Sequence, residues 1–274
     1  MQRAILKWVG GKGRVLSSLK KILPAGDCLV EPFVGSGSVF LNTDYAQYRL
    51  SDSNPDLILV LRVASEAPEE LIEACEELWS QGFDGETYAG LKKKFNDRTN
   101  VTVEDSIDRA ALFIYLNRHG FNGLCRYNNS GVYNVPHGKL EAAPYLPREE
   151  IRAFWKKCTE CEVIISCQDF TEALANVPKN AVIYADPPYV PRTKTEAFTQ
   201  YHKAAFNQQH HRALAKLLKA AHSAGAKVVL SNSDTLLTKD IYYGFEWVTV
   251  EVGRYVGARA DKRGKVNELI GILK

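Results

Sequence analysis

CLVEPFVGSG, residues 28 to 37, is an apolar run that ends in a glycine turn. Cys28, Leu29 and Val30 begin a short strand that the sequence extends to Phe33, and Gly35-Ser36-Gly37 follows at once. A strand feeding a glycine turn beside a helix start lets a ligand approach the backbone and its unsatisfied N–H groups. Doubly wound sheets bind nucleotides at such a turn. The run is not GxGxxG, because Phe40 occupies the third glycine position. It is not a phosphate loop either, and Gly11-Lys12-Gly13 lacks the first glycine that such a loop needs.

Four further apolar runs lie downstream, at Tyr48 to Ser51, Glu162 to Ser166, Ala181 to Ala185 and Ala226 to Ser231. Helical patterns separate several of them, which predicts an α/β fold with a parallel sheet. In NQQHHRALAKLLKAAHSAG (207–225), Asn207 can cap a helix whose apolar face is Ala213, Leu214, Leu217, Leu218 and Ala221, and Gly225 stops it. His210-His211 is expected on its solvated side. GFEWVTVEV and ELIGILK read as two last strands, antiparallel around a basic loop.

About 110 residues separate Asp52 from the strand at Glu162, far more than one crossover helix requires. The excess predicts an insertion. Asp56 to Phe95 reads as acidic amphipathic helices. Thr102 and Asp105 form a capping box for a helix through Ile107, Ala110, Ala111 and Ile114. After it comes LNRHGFNGLCRYNNSGVYNVPHG (116–138), where Arg126-Tyr127-Asn128 and Val132 to Val135 flank Asn129-Ser130-Gly131 as a hairpin would. A polar surface loop is the plain reading. An ordered hairpin bearing Asn and Arg would also suit adenine and guanine edges.

The fourth strand ends as VIYADPPYVP, residues 182 to 191. Asp and Pro are ordinary strand terminators. Combined with Gly35 and Gly37, and with Asp52 fifteen residues beyond Gly37, they suggest more. A carboxylate at Asp52 suits ribose hydroxyls, and Asp169-Phe170 can meet an adenine by hydrogen bonding and stacking.

Bulk composition bounds the class. The chain has 274 residues, 45% hydrophobic and 24% charged, which is ordinary for a globular protein. No apolar run reaches membrane-span length and the first residues lack a signal-peptide pattern, so a cytoplasmic location is expected. Six cysteines are scattered, and the lone CxxC at Cys158 to Cys161 has no second half, so no metal and reduced, mostly buried thiols are expected. Charge is uneven: residues 1–24 hold six Lys/Arg and no acid, whereas residues 54–91 hold nine acids and one Arg. Basic blocks set against one acidic stretch fit either a solvated surface or a polyanion-binding face.

Almost the whole chain resembles the S-adenosylmethionine-dependent DNA adenine N6-methyltransferases of the Dam type. The resemblance is carried by LKWVGGKG (6–13), EPFVGSGSVFLNTD (31–44), SDSNPDL (51–57), LNRHGFNGLCRYN (116–128), NVPHG (134–138), DPPY (186–189), FTQYH (198–202) and SNSDTLLT (231–238). The order, glycine motif then recognition insert then DPPY, is that of the family's alpha group.

This resemblance implies a Rossmann-like catalytic domain, residues 1–55 and 150–274, and an inserted, mainly helical target-recognition domain, 56–149. It implies that Trp8, Lys12, Glu31, Phe33, Gly35, Gly37, Asp52, Asp169, Phe170 and Asp186 hold the cofactor. Asp186, Pro187 and Tyr189 would be catalytic, with Phe198, Tyr201 and Phe206 either closing the pocket or belonging to the core. Lys7, Arg118, Phe121, Asn122, Leu124, Arg126, Asn128 and Pro136 would meet double-stranded DNA, with Arg126 reading guanine in GATC. Phe121 stands where a tyrosine is usual and Leu140 where close relatives place a contact residue. A monomer without an obligate protein partner is expected. Rival readings are an amino-methyltransferase on cytosine N4, RNA or protein, a nucleotide-linked oxidoreductase, which leaves DPPY unexplained, and a DNA-binding module without activity.

Overall fold

The computed structural model describes residues 1–97, 106–191, 206–253 and 265–274. In chain order its strands are β1 (Cys28–Glu31), β2 (Gln47–Asp52), β3 (Glu162–Cys167), β4 (Val182–Ala185), β5 (Lys227–Ser233), β6 (Glu246–Gly253) and β7 (Lys265–Leu273). The helices are α1 (Leu16–Ile22), α2 (Pro55–Glu66), α3 (Pro68–Ser80), α4 (Gly85–Asn96), α5 (Ser106–His119), α6 (Arg148–Thr159), α7 (Phe170–Ala173), α8 (Gln208–Ser223) and α9 (Leu236–Ile241).

Every residue of β1 and β4 is buried. A parallel sheet covered on both faces demands such continuous apolar runs, which is why these strands do not alternate. β1 lies parallel between β2 and β4, with Leu29 opposite both Tyr48 and Val182. β5 continues in parallel beside β4, then β7 runs antiparallel to β5 and β6 antiparallel to β7. The order is β2-β1-β4-β5-β7-β6, and β3 is the seventh strand of the sheet. The expected α/β fold and closing antiparallel pair are thus observed. β1 stops at Glu31 rather than Phe33, since Pro32 has no N–H for the ladder.

Chain contacts divide into two compact units: residues 1–11, 35–42 and 54–167, and residues 12–34, 43–53 and 168–274. In the second, Val30, Ile183, Val228 and Leu230 of the sheet pack with Leu214 and Leu218 of α8 and with Ile241, Tyr242 and Phe245. Asn207 caps α8 through Gln209 and His210, and the His210 ring accepts from the Asn207 N–H in return. Gly225, at φ +103°, ends the helix as expected.

The buried face of α8 is His211, Leu214, Ala215 and Leu218, while Ala213 is exposed. His211 therefore does not lie on the solvated side: its Nδ1 is 2.7 Å from the Tyr242 hydroxyl and its ring meets Phe206 edge-on. The polar partner lets an imidazole occupy a core position. On β7, Gly271 faces Trp247 of β6, and a Cβ there would lie 2.6 Å from the indole.

In the first unit α5 is the central helix, buried at every position from Ala110 to His119. Asn54 caps α2 by accepting from Asp56 and Leu57, with Pro55 at the first helical position. Leu57, Leu61, Leu71, Cys75, Tyr88 and Phe95 of α2, α3 and α4 are buried, as acidic amphipathic helices require. The capping box at Thr102 and Asp105 lies outside the described residues. The expected hairpin forms around a Tyr127–Tyr133 bridge, with Gly131 at φ +73° in its turn. Thiol burial is less general than expected: Cys28 and Cys75 are buried, Cys125, Cys158 and Cys161 half-buried, and Cys167 exposed. Among the described residues no helix is long and apolar enough to cross a membrane.

Candidate active site

The turn after β4 is held by charge and by β5. Lys12 Nζ lies 2.7 Å from Asp186 Oδ2, and the lysine is buried. A buried ammonium left unpaired is strongly unfavourable, so this carboxylate is its natural counter-charge. Asp186 Oδ1 is also buried and has no partner among the described residues. Burial pushes the Asp186 carboxyl above its ordinary range, while the Lys12 charge and hydrogen bond pull it down.

Beyond the prolines, Val190 donates its N–H to Asn232 Oδ1 at 3.0 Å and accepts from Ser233 Oγ at 2.6 Å. Both main-chain groups of one residue are thereby tied to the end of β5, and Pro187 is buried. The Tyr189 hydroxyl donates to Glu268 Oε2 of β7 at 3.0 Å, and Lys12 Nζ stands 5.0 Å from the tyrosine ring centroid. Burial pushes the Tyr189 phenol well above its usual range. It stays protonated and donates.

Near the ends of the neighbouring strands, Phe33 and Phe170 stack at 5.7 Å, and Phe206 meets their edges at 5.6 and 5.5 Å. A half-buried Phe33 in this cluster offers an apolar face of the kind a flat base accepts. Asp169 Oδ1 caps α7 through Thr171 and Glu172, and the Thr171 hydroxyl bond leads in holding this carboxyl below its usual range. This oxygen therefore holds the start of the helix. The Asp52 carbonyl accepts from Gln168, closing the end of β2. Glu31 is buried at the end of β1. Phe198 and Tyr201 lie outside the described residues.

In the other unit, the glycine turn and Trp8 come together. Gly35 adopts φ +50°, and a Cβ there would sit 3.0 Å from the Trp8 indole. Gly37, at φ +74°, is backed by Phe154. Both positions need glycine for conformation, and Gly35 for close approach as well. Turn backbone and indole thus lie against each other at two of the positions expected to hold a cofactor.

The candidate DNA residues of this unit divide in two. Lys7, Phe121, Asn122, Arg126, Asn128 and Pro136 are exposed, and Leu124 is half-buried. Asn117 clamps this region: it accepts from the Lys7 N–H and donates to the carbonyls of Lys7 and Gly123. The Arg126 guanidinium folds onto Asn134 of its own hairpin, with Nε 2.7 Å from Oδ1. Asn128 Oδ1 accepts from Ser130 and Val132, so this side chain builds the turn.

Arg118 is the clear departure from expectation. It is buried, donates to the Ile5 carbonyl and lies 4.7 Å from the Tyr145 ring centroid. Its charge faces the N-terminal segment, because α5 is central and has no solvent side there.

Several functional candidates escaped sequence reading. Asn232 and Ser233 hold the DPPY turn, and SNSDT was the only signal for them. Glu268 is a lone acid in an apolar strand. Asp56 is a buried hub, accepting from Arg109 at 2.6 Å and from the Tyr127 hydroxyl at 2.6 Å.

Residues 8–255 match the family model described as D12 class N6 adenine-specific DNA methyltransferase. The chain belongs to this class. DNA adenine is the substrate that the description of the class names. The chain is also 40% identical over 273 residues to a DNA adenine methylase of Salmonella typhi, covering 99% of this chain and 95% of that one. It is 39% identical over 273 residues to the DNA adenine methylase of Escherichia coli (strain K12), with the same coverage. A Vibrio cholerae protein of that name is 39% identical over 274 residues, covering 99% and 96%. The expected DNA adenine methyltransferase is therefore borne out, and the oxidoreductase reading falls.

Proposed function

We propose that this D12 methyltransferase takes its methyl group from S-adenosylmethionine and places it on N6 of an adenine swung out of double-stranded DNA, within GATC. One observation carries the reading: Asp186 has one oxygen held by Lys12 and the other buried with no hydrogen-bond partner among the described residues. The exocyclic amine of adenine is a poor nucleophile because its lone pair is delocalised into the ring. An oxygen that accepts an N6 hydrogen draws the nitrogen toward sp³ character, and Asp186 Oδ1 is available for that. The Pro187 carbonyl is the second acceptor, and the prolines remove competing N–H donors. Tyr189 supplies the π-face for the extruded base.

When bound, the cofactor supplies an activated sulfonium methyl. Trp8, Gly35 and Gly37 cradle its nucleoside part, with Phe33, Phe170, Glu31, Asp52 and Asp169 in the supporting roles the family likeness implies. Lys12 orders Asp186 and meets the methionine carboxylate. Positioning then supplies most of the rate, with no covalent intermediate.

Residues 56–149 act as the target-recognition domain and residues 1–55 and 150–274 as the catalytic domain. Lys7, Phe121, Asn122, Leu124, Arg126 and Pro136 meet the duplex, Phe121 retaining a stacking face and Arg126 reading guanine. The protein acts as a monomer without an obligate partner, on nucleoid DNA in the cytoplasm.

The test is incubation with S-adenosylmethionine and a plasmid, then cleavage by nucleases that differ in tolerance of methylated GATC. Protection from the sensitive nuclease alone, with N6-methyl-2′-deoxyadenosine after digestion to nucleosides, is expected. N4-methylcytosine, or methylation outside GATC, would overturn the assignment.

A further inference from the structure

We propose that Glu268 is a positioning residue for the reaction, holding the Tyr189 ring in the plane that receives the target base. The inference rests on the proposed reading of DPPY as the base-holding turn.

The turn's backbone and its tyrosine side chain are held by different strands. Asn232 and Ser233 of β5 bind both main-chain groups of Val190, and they are buried. That fixes where the turn runs but leaves the two side-chain torsions of Tyr189 undetermined. Glu268 stands on β7 directly opposite Ser233, and its Oε2 accepts the Tyr189 hydroxyl proton at 3.0 Å. A carboxylate is a directional acceptor for a phenol, and the bond fixes the far end of the ring. Lys12 lies over the same ring, 5.0 Å from its centroid. Ring plane and ring environment are therefore set before any base arrives, and stacking needs no further ordering of this side chain.

An acid in the apolar run ELIGIL would otherwise be an ordinary solvated strand residue. Glu268 is instead half-buried and bonded into the turn.

A double-mutant cycle tests the proposal. Single-turnover methylation is measured at saturating S-adenosylmethionine for Glu268→Ala, Tyr189→Phe and the double variant, and on separate duplexes with 2-aminopurine in place of the target adenine, fluorescence reports base stacking. Glu268→Ala should lose about tenfold in rate, the size expected for one charge-assisted hydrogen bond. Tyr189→Phe, which keeps the ring, should lose a similar amount and the double variant no more than either. Glu268→Gln, an acceptor of the same shape, should recover most of the rate. A full rate in Glu268→Ala, or losses that multiply in the double variant, would overturn the proposal. Asp186→Ala run beside them separates the two claims: if it still methylates, the reading of the whole turn fails, whatever Glu268 does.

Discussion

Lys12 joins two roles in one side chain, counter-charge to Asp186 and neighbour of the Tyr189 ring. Burial raises the Asp186 carboxyl and Lys12 opposes that rise. An acid with a raised pKa protonates at higher pH, and the protonated form is the poorer acceptor for an amine hydrogen. Lys12→Met should therefore move the acid limb of the kcat profile to higher pH, measured at saturating cofactor and DNA. An unmoved limb would mean that the ammonium does not govern this carboxylate. Residues of this kind were only half legible in the sequence. Asp186 stood out because a carboxylate between a buried strand and two prolines is chemically conspicuous. Glu268 did not, since its meaning depends on a tyrosine 79 positions away that pairing of β5 with β7 brings to it. Arg118 misled for the same reason in reverse: its motif neighbours are exposed, while its own helix is central.

Among elements, the hairpin from Arg126 to Asn134 is held by its inward side chains. Tyr127 donates to Asp56, Tyr133 donates to the Leu124 carbonyl, and Asn96 pairs with the Tyr133 main chain through both amide atoms. Arg126 and Asn128 are left outward. Tyr127→Phe removes one hydrogen bond to a buried carboxylate, an expected loss of about 1.5–3 kcal/mol. The urea midpoint should fall at unchanged slope, and the proposed preference for GATC over a site with one altered base should fall with it. Unaltered preference would show that the reading face does not depend on this anchor. The hairpin could be read from its Asn-Ser-Gly turn and flanking aromatics. Its anchor could not, because Asp56 lies 71 residues away on α2. The same contrast holds for α8, where Asn207 and Gly225 marked both ends but the buried face includes His211.

At the scale of the whole molecule, buried imidazoles tie the fold to pH. Burial lowers His211 and His119 to about 4, from 6.5. A base lowered in the fold binds its proton more readily when unfolded, so stability is full above about pH 6.5 and is lost as pH falls toward 4. Each contributes up to about 3 kcal/mol across that window. Replacing His211 with Gln should flatten the fall in melting temperature between those limits, and an equally steep fall would remove His211 as its source. The parallel sheet itself was legible from uninterrupted apolar runs, and its antiparallel end from the last two strands. The account as a whole stands on Asp186 as acceptor of the amine hydrogen. Its most direct test is tritiated methyl transfer to plasmid DNA by Asp186→Ala, with cofactor-dependent DNA binding measured on the same preparation. Transfer abolished while binding persists is the predicted result, and near-normal transfer would contradict it.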